Sequence, residues 1–188
     1  MGRGEPTKLV VRLAIPSALV AVALLIPTSS GASAATVCRG TIASTDASAA
    51  LTVRGDLFVP SGASCLLSNV VVDGNVFVEP AATFNLSAEE PGIGGLAGIN
   101  GNLDANGAAV VATSYAGVTG NVVVAGAREV DLFKSSFGEN GIFIGNRSLT
   151  MNFVGFDGTL MCINNGAVSL NSIGAAFSLG QCRTGTGP

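Results

Sequence analysis

Gly55-Asp56-Leu57-Phe58-Val59, Gly74-Asn75-Val76-Phe77-Val78, Gly101-Asn102-Leu103-Asp104-Ala105 and Gly120-Asn121-Val122-Val123-Val124 are four versions of one phrase. Weaker copies follow at Gly141–Ile144 and Gly158–Ile163. The leading glycines are spaced by 19, 27, 19, 21 and 17 residues, and with eight residues taken out of the long interval the mean is 19. A phrase that returns at a fixed period marks a chain built by stacking one small unit. A unit of 19 residues is too short for a helical hairpin but holds two or three strands of about five residues with turns between them. The expected fold is all-β, a single-stranded parallel β-helix (solenoid) with rungs of about 19 residues.

The apolar residues alternate as that fold requires. Leu51, Val53, Leu57 and Val59 lie between polar neighbours, the period of a half-buried strand. Pro60-Ser61-Gly62-Ala63 and Glu79-Pro80-Ala81-Ala82 read as turns. Val76 and Val78 repeat Leu57 and Val59, and the same inward phase is expected at Val122 and Val124, at Ile142 and Ile144, and at Leu160 and Cys162. The leading glycines are read as corners that accept positive φ. Asn75, Asn102 and Asn121 share one phase, which predicts side chains stacked as a hydrogen-bonded ladder. Seven rungs would extend roughly 34 Å, at about 4.8 Å per rung.

Ahead of the repeats, Arg3, Lys8 and Arg12 precede an apolar run from Leu13 to Ile26, closed by Pro27. Ala32-Ser33-Ala34 and Ser33-Ala34-Ala35 fit the small-x-small rule for leader cleavage. The run has 14 residues, whereas a membrane span needs about 20. The expected organisation is a helical signal peptide at 1–35, an N-terminal cap at 36–50, the solenoid at 51–182 and a tail at 183–188. The expected product is secreted or held at the cell surface, with no membrane contact after cleavage.

Four cysteines in an exported chain suggest two disulfides. Cys65 and Cys162 are 97 residues apart, about five rungs or roughly 24 Å along the axis. A disulfide needs Cα atoms within about 7 Å. Pairings between the two halves are therefore excluded, leaving Cys38–Cys65 and Cys162–Cys182. The first is expected to clasp an irregular cap, the second to join residues one rung apart.

Composition narrows the chemistry. The chain has no His, which excludes Ser-His-Asp and Cys-His sites, and no Cys-x-x-Cys for zinc. Three of the nine basic residues and one of the twelve acidic residues lie in the first 34, so the remainder carries a net charge of −5. No basic patch or aromatic platform for nucleic acid is visible. No cofactor or metal is expected. Asp73, Asp104 and the nearby Asn residues are candidate calcium ligands, but the dense Gly-Gly-x-Gly-x-Asp run of calcium-binding repeats is missing. Candidate carboxylates for sugar chemistry are Asp73, Asp104, Asp131, Glu139 and Asp157, with Asp73 and Asp157 read as turn residues and Arg128–Asp131 as a polar corner. Ser87–Asn100 reads as the one insertion, a candidate ligand loop carrying Glu89, Glu90, Gly94 and Gly95. Tyr115, as a single exposed aromatic, is a poor sugar platform, which counts against glycan binding.

Gly55–Cys65 and Asp73–Phe84 resemble the repeats of small exported β-solenoid proteins of high-GC Gram-positive bacteria. They are also similar to the repeat of the polymer-forming bactofilins. The resemblance covers about residues 51–163 and implies a parallel β-helix; likeness to bactofilins further implies a non-catalytic filament assembled end to end. A leader and four cysteines depart from the intracellular setting of that family, and no family active-site residue is matched. The leading expectation is a non-catalytic, secreted or wall-associated structural protein whose partner is itself, end to end. The alternative is an extracellular glycan-binding module whose partner is cell-wall glycan, and the third is a small carbohydrate-active enzyme.

Overall fold

The structure, a computed structural model, describes residues 34–46, 49–88 and 96–183. The leader expected at 1–35 lies, but for its last two residues, outside the described residues, as does the tail beyond 183. The first turn of the coil contains β1 (Thr36–Val37), β2 (Thr41–Ala43) and β3 (Leu51–Arg54). The second contains β4 (Leu57–Val59), β5 (Ser64–Ser68) and β6 (Val70–Asp73), and the third β7 (Val76–Val78), β8 (Thr83–Ser87) and β9 (Ala97–Ile99). The fourth contains β10 (Leu103–Asn106), β11 (Val110–Ser114) and β12 (Ala116–Val118), and the fifth β13 (Val122–Ala125), β14 (Glu129–Phe133) and β15 (Ser136–Phe137). β16 (Gly141–Ile144), β17 (Ser148–Ile163) and β18 (Ala167–Gly180) complete about seven turns, the last two strands bending round the corners without a break.

Every strand pairs in parallel with its equivalent one turn away, so the coil has three faces. The first face stacks β1, β4, β7, β10, β13 and β16, the second begins with β2 and β5, and the third with β3 and β6. The step is 19 residues from Leu57 to Val76, from Leu103 to Val122, from Val122 to Gly141 and from Gly141 to Leu160. It is 27 from Val76 to Leu103. The solenoid expected from the repeat is thus the fold, and no helix occurs among the described residues.

Alternation drives the packing. Leu57, Val76, Leu103, Val122 and Leu160 are fully buried on the first face, Phe84, Val111, Val130 and Leu149 on the second. Burying a side chain of this kind contributes about 1.5–3 kcal/mol, and most rest on apolar equivalents in the adjacent turns. The buried Thr113 hydroxyl lies 3.0 Å from that of Ser135, whose Oγ donates to the Phe133 carbonyl at 2.9 Å. That core polar pair is satisfied.

One phase expectation fails by a single residue. Ile142 and Ile144 point outward; the inward pair is Gly141 and Phe143, in register with Val122 and Val124. Here the core turns aromatic. Phe156 stacks on Phe137 with ring centroids 4.7 Å apart and meets Phe143 edge-on at 6.2 Å. A side chain on Gly141 would collide with the Phe156 ring. This glycine is therefore a core residue that makes room for an aromatic, and the corner position of its turn is Glu139.

The corner glycines also act differently from expectation. Of the leading glycines only Gly55 has a positive φ, 82°. At Gly74 an added Cβ would sit 2.5 Å from the Gly55 carbonyl, and at Gly120 2.5 Å from Asn102 Oδ1. Close approach between turns, not backbone handedness, requires glycine there.

Both disulfides form as expected, with Cα separations of 5.5 Å for Cys38–Cys65 and 5.2 Å for Cys162–Cys182. Cys162 pairs in register with Gly180, so Cys182 reaches it from the turn beyond the strand. The insertion is narrower than Ser87–Asn100. Ser87 pairs with Ser68 and Ser114, and Ile99 with Val72 and Val118. The extra eight residues therefore fall between Ala88 and Ala97.

Candidate functional site

The asparagine phase forms a ladder along the corner before the first face. The Asn75 amide N–H donates to Asp56 Oδ1 at 2.8 Å, Asn102 to Asn75 Oδ1 at 2.9 Å, and Asn121 to Asn102 Oδ1 at 2.8 Å. Asn140, not singled out in the sequence, continues it, and Thr159 ends it with its N–H 2.9 Å from Asn140 Oδ1. These oxygens are committed to backbone donors of the next turn, which is a structural use of side chains once weighed as calcium ligands. A second ladder, also missed, runs along the corner after the first face with opposite polarity. The Ala127 N–H donates to Asn146 Oδ1 at 2.8 Å, Asn146 to Asn165 Oδ1 at 3.0 Å, and Asn165 to Gln181 Oε1 at 2.6 Å. The 19-residue step from Asn146 to Asn165 was its visible signal.

The carboxylates take several addresses. Asp104 points out from the first face and Asp131 from the second, on strand β14 rather than a corner. Asp73 ends β6, its carboxylate accepting from Asn100 Nδ2 at 3.4 Å. Of the candidate carboxylates, Glu139 and Asp157 share a corner in consecutive turns, and the Glu139 carboxylate accepts a bond from the Asn121 amide. Among the described residues no group of three or more His, Cys, Asp or Glu is placed to hold a metal ion.

Tyr115 lies at the corner between the second and third faces, part of a column with Asn69, Lys134, Phe153 and Ser172. All five have positive φ, between 43° and 56°. Asn tolerates that region, but it is a steric outlier for bulky side chains. Lys134 Nζ donates to the Tyr115 hydroxyl at 3.0 Å and lies 5.0 Å from the centre of the Tyr115 ring and 5.4 Å from that of Phe133. Phe153 is 53% exposed, more open than the half-buried Tyr115. Lys134 and Phe153 were not anticipated, although they follow Tyr115 at the 19-residue step. The column overhangs a trough on the third face, where the outward positions are Gly98, Gly117, Ser136, Gly155 and Gly174. Glu89, Glu90, Gly94 and Gly95 lie outside the described residues; Leu96 lines the trough beside Ala97 and Gly117.

The last turn, like the first, is open on its outer side. β18 pairs only with β17 among the described strands. Its inward residues Val168, Leu170, Ile173 and Ala175 are half-buried, where their equivalents in earlier turns are buried. Phe177, which takes the ladder column one step after Thr159, is 70% exposed.

Set against family models, curated proteins and solved structures, the chain finds no match. The two disulfides suggest an extracellular or otherwise oxidising environment. Among the described residues no helix is long and apolar enough to cross a membrane.

Proposed function

We propose that this protein is a non-catalytic structural β-solenoid, secreted or wall-associated, that associates with its own kind through the C-terminal end of the coil. The observation that carries this reading is β18: 14 consecutive strand residues without a charge or a proline, above half-exposed apolar core residues. Natural sheets guard their edges with short strands, charges, prolines or bulges. The first turn follows that rule, with strands of two, three and four residues and with Arg39, Asp46 and Arg54 among them. The last turn does not. Two copies meeting through β18 would continue the sheets and join their cores, and a guarded first turn would stop growth at a discrete pair. The scattered carboxylates support the non-catalytic part of the reading.

Sedimentation of the oxidised protein, with negative-stain imaging, tests it. Twice the chain mass is expected, and Phe177→Lys should return a monomer with unchanged circular dichroism. A wild-type monomer up to high concentration would refute end association. Release of reducing ends from a cell-wall polysaccharide would refute the structural reading itself.

A second reading, glycan binding, is favoured by the Tyr115–Lys134–Phe153 column. Three successive bulky residues occupy a backbone region that costs about 1–2 kcal/mol each. Aromatic rings and an ammonium beside an open trough suit stacking on sugars. Tyr115→Ala with Phe153→Ala should abolish retention on isolated cell wall if this reading holds, and leave it unchanged if it does not.

A further inference from the structure

The corner after the first face carries Gly107, Gly126 and Gly145 in consecutive turns, with φ of 65°, 63° and 62°. Beside them lie Ala108 and Ala127, then Ala109, Arg128 and Arg147, together lining a depression of about 490 Å³. Arg128 and Arg147 are 19 residues apart, the step of one turn, so their Cα atoms are about 4.8 Å from each other. Both are exposed, and neither guanidinium has a hydrogen bond or ion pair with a described residue. Two like charges directly opposite on neighbouring strands are destabilising. The arrangement stands out in a chain with a net charge of −5 beyond residue 34 and only six basic residues there.

Most of the backbone donors of this corner are committed within the coil. The Gly126 N–H donates to Ile144 O at 2.8 Å, Arg128 to Ala108 O at 3.0 Å, and Arg147 to Ala127 O at 2.9 Å. The exposed guanidinium groups are the charged donors of the corner, while the small residues leave room for a ligand to lie close to the coil. A guanidinium presents a planar fork matched to phosphate oxygens. Two forks rising one turn apart can close on a single phosphate from both sides. Because the glycine floor runs on along the axis for three turns, about 10 Å between the first and the last, the ligand that fits is extended.

We infer that the Arg128–Arg147 corner is a binding site for a linear phosphate-bearing polymer, with the two guanidinium groups clamping one phosphate. The site is independent of self-association, since it lies on a corner and not on the β18 edge. The same chemistry is available from a phosphodiester polymer of the cell wall or from a soluble polyphosphate.

Fluorescence anisotropy of the oxidised full chain with labelled long-chain inorganic polyphosphate tests it, at low and at high salt. Binding should weaken as salt rises. Arg128→Gln and Arg147→Gln should each weaken it by about tenfold, and Arg128→Lys should recover only part of the loss. Arg39→Gln, which removes the same charge elsewhere, should leave it within about twofold. No wild-type binding at low salt, or equal losses from Arg39→Gln and Arg128→Gln, would overturn the site. Retention on purified wall before and after chemical removal of phosphodiesters then separates the sources. Loss on removal assigns the phosphate to the wall, and binding confined to polyphosphate assigns it to the soluble polymer. Sedimentation of Arg128→Gln should still show the wild-type assembly state, which keeps this test apart from that of end association.

Discussion

The two ends of the coil solve the same problem differently. Each ends in a turn whose backbone has no further neighbour among the described residues. The first turn breaks its edge into three short strands and clasps Cys38 to Cys65 at a Cα separation of 5.5 Å. The last turn keeps one strand of 14 residues and is clasped only at the corner where Cys182 meets Cys162 and Gln181 closes the second ladder. There the Gln181 side chain also returns a bond to Asn165 O at 2.7 Å. Beyond that corner the first ladder stops at Thr159 and Phe177 takes its column. The first edge is thus short and charged, the last long and free of charge and proline.

The sharpest way to test whether the ends are separable is to damage the core near one of them. Phe156→Ala removes the ring that stacks on Phe137 and fills the space left by Gly141, at a cost of about 3–5 kcal/mol. Amide exchange should speed up in the last three turns before the first three. Equal acceleration throughout would show that the coil opens as one unit and would break the comparison.

Next come the clasps. Cys38→Ala with Cys65→Ala, and Cys162→Ala with Cys182→Ala, release loops of 27 and 20 residues. Chain entropy assigns each about 3–4 kcal/mol. Denaturant unfolding should give nearly equal losses. The first pair alone should expose Thr36–Ala43 to proteolysis, because the strands there are too short to hold without the bridge.

Smaller effects sharpen the contrast between the ladders. Asn146 is buried and its amide also donates to Val124 O at 3.0 Å, whereas Asn102 is exposed. Asn146→Ala should cost about 2 kcal/mol, by leaving buried backbone groups unpaired, and Asn102→Ala about 1 kcal/mol, since water can replace the lost partner. Thermal melts in parallel would show the order, and a reversed order would mean that the first ladder carries more than its exposure suggests. The smallest change expected is from Asp131→Asn, a surface carboxylate whose loss should stay within about 0.5 kcal/mol.

The repeat made the fold legible because stacking requires the same residue at the same depth in every turn. Leu57, Val76, Leu103 and Val122 declare themselves in the sequence for that reason. The slip at Ile142 and Ile144 arose where the phrase was matched by its glycine. Gly141 resembles Gly120 as a letter but occupies the position of Val122, because an aromatic ring from the third face of the same turn fills its space. Of the candidate surfaces, Tyr115 was visible as the single tyrosine, while Lys134 and Phe153 gain meaning only once the 19-residue step brings them to one corner. In the sequence Arg128 reads as part of the polar corner Arg128–Asp131 and Arg147 does not stand out, for the same reason: neighbours along the axis are a full turn apart in the chain.

By itself the sequence determined the period, the all-β class, the inward residues of most turns and, through the distance along the axis, which cysteines pair. These follow from local alternation and from a repeat that any stacked arrangement must respect. Only the tertiary structure decided which glycines serve close approach and which make room for a ring. It alone separated the two ladders and their opposite polarity, and it alone left the last turn open while the first is guarded. Each of those depends on what a residue meets in the adjacent turn, and that neighbour is set by register in space rather than by proximity in the chain.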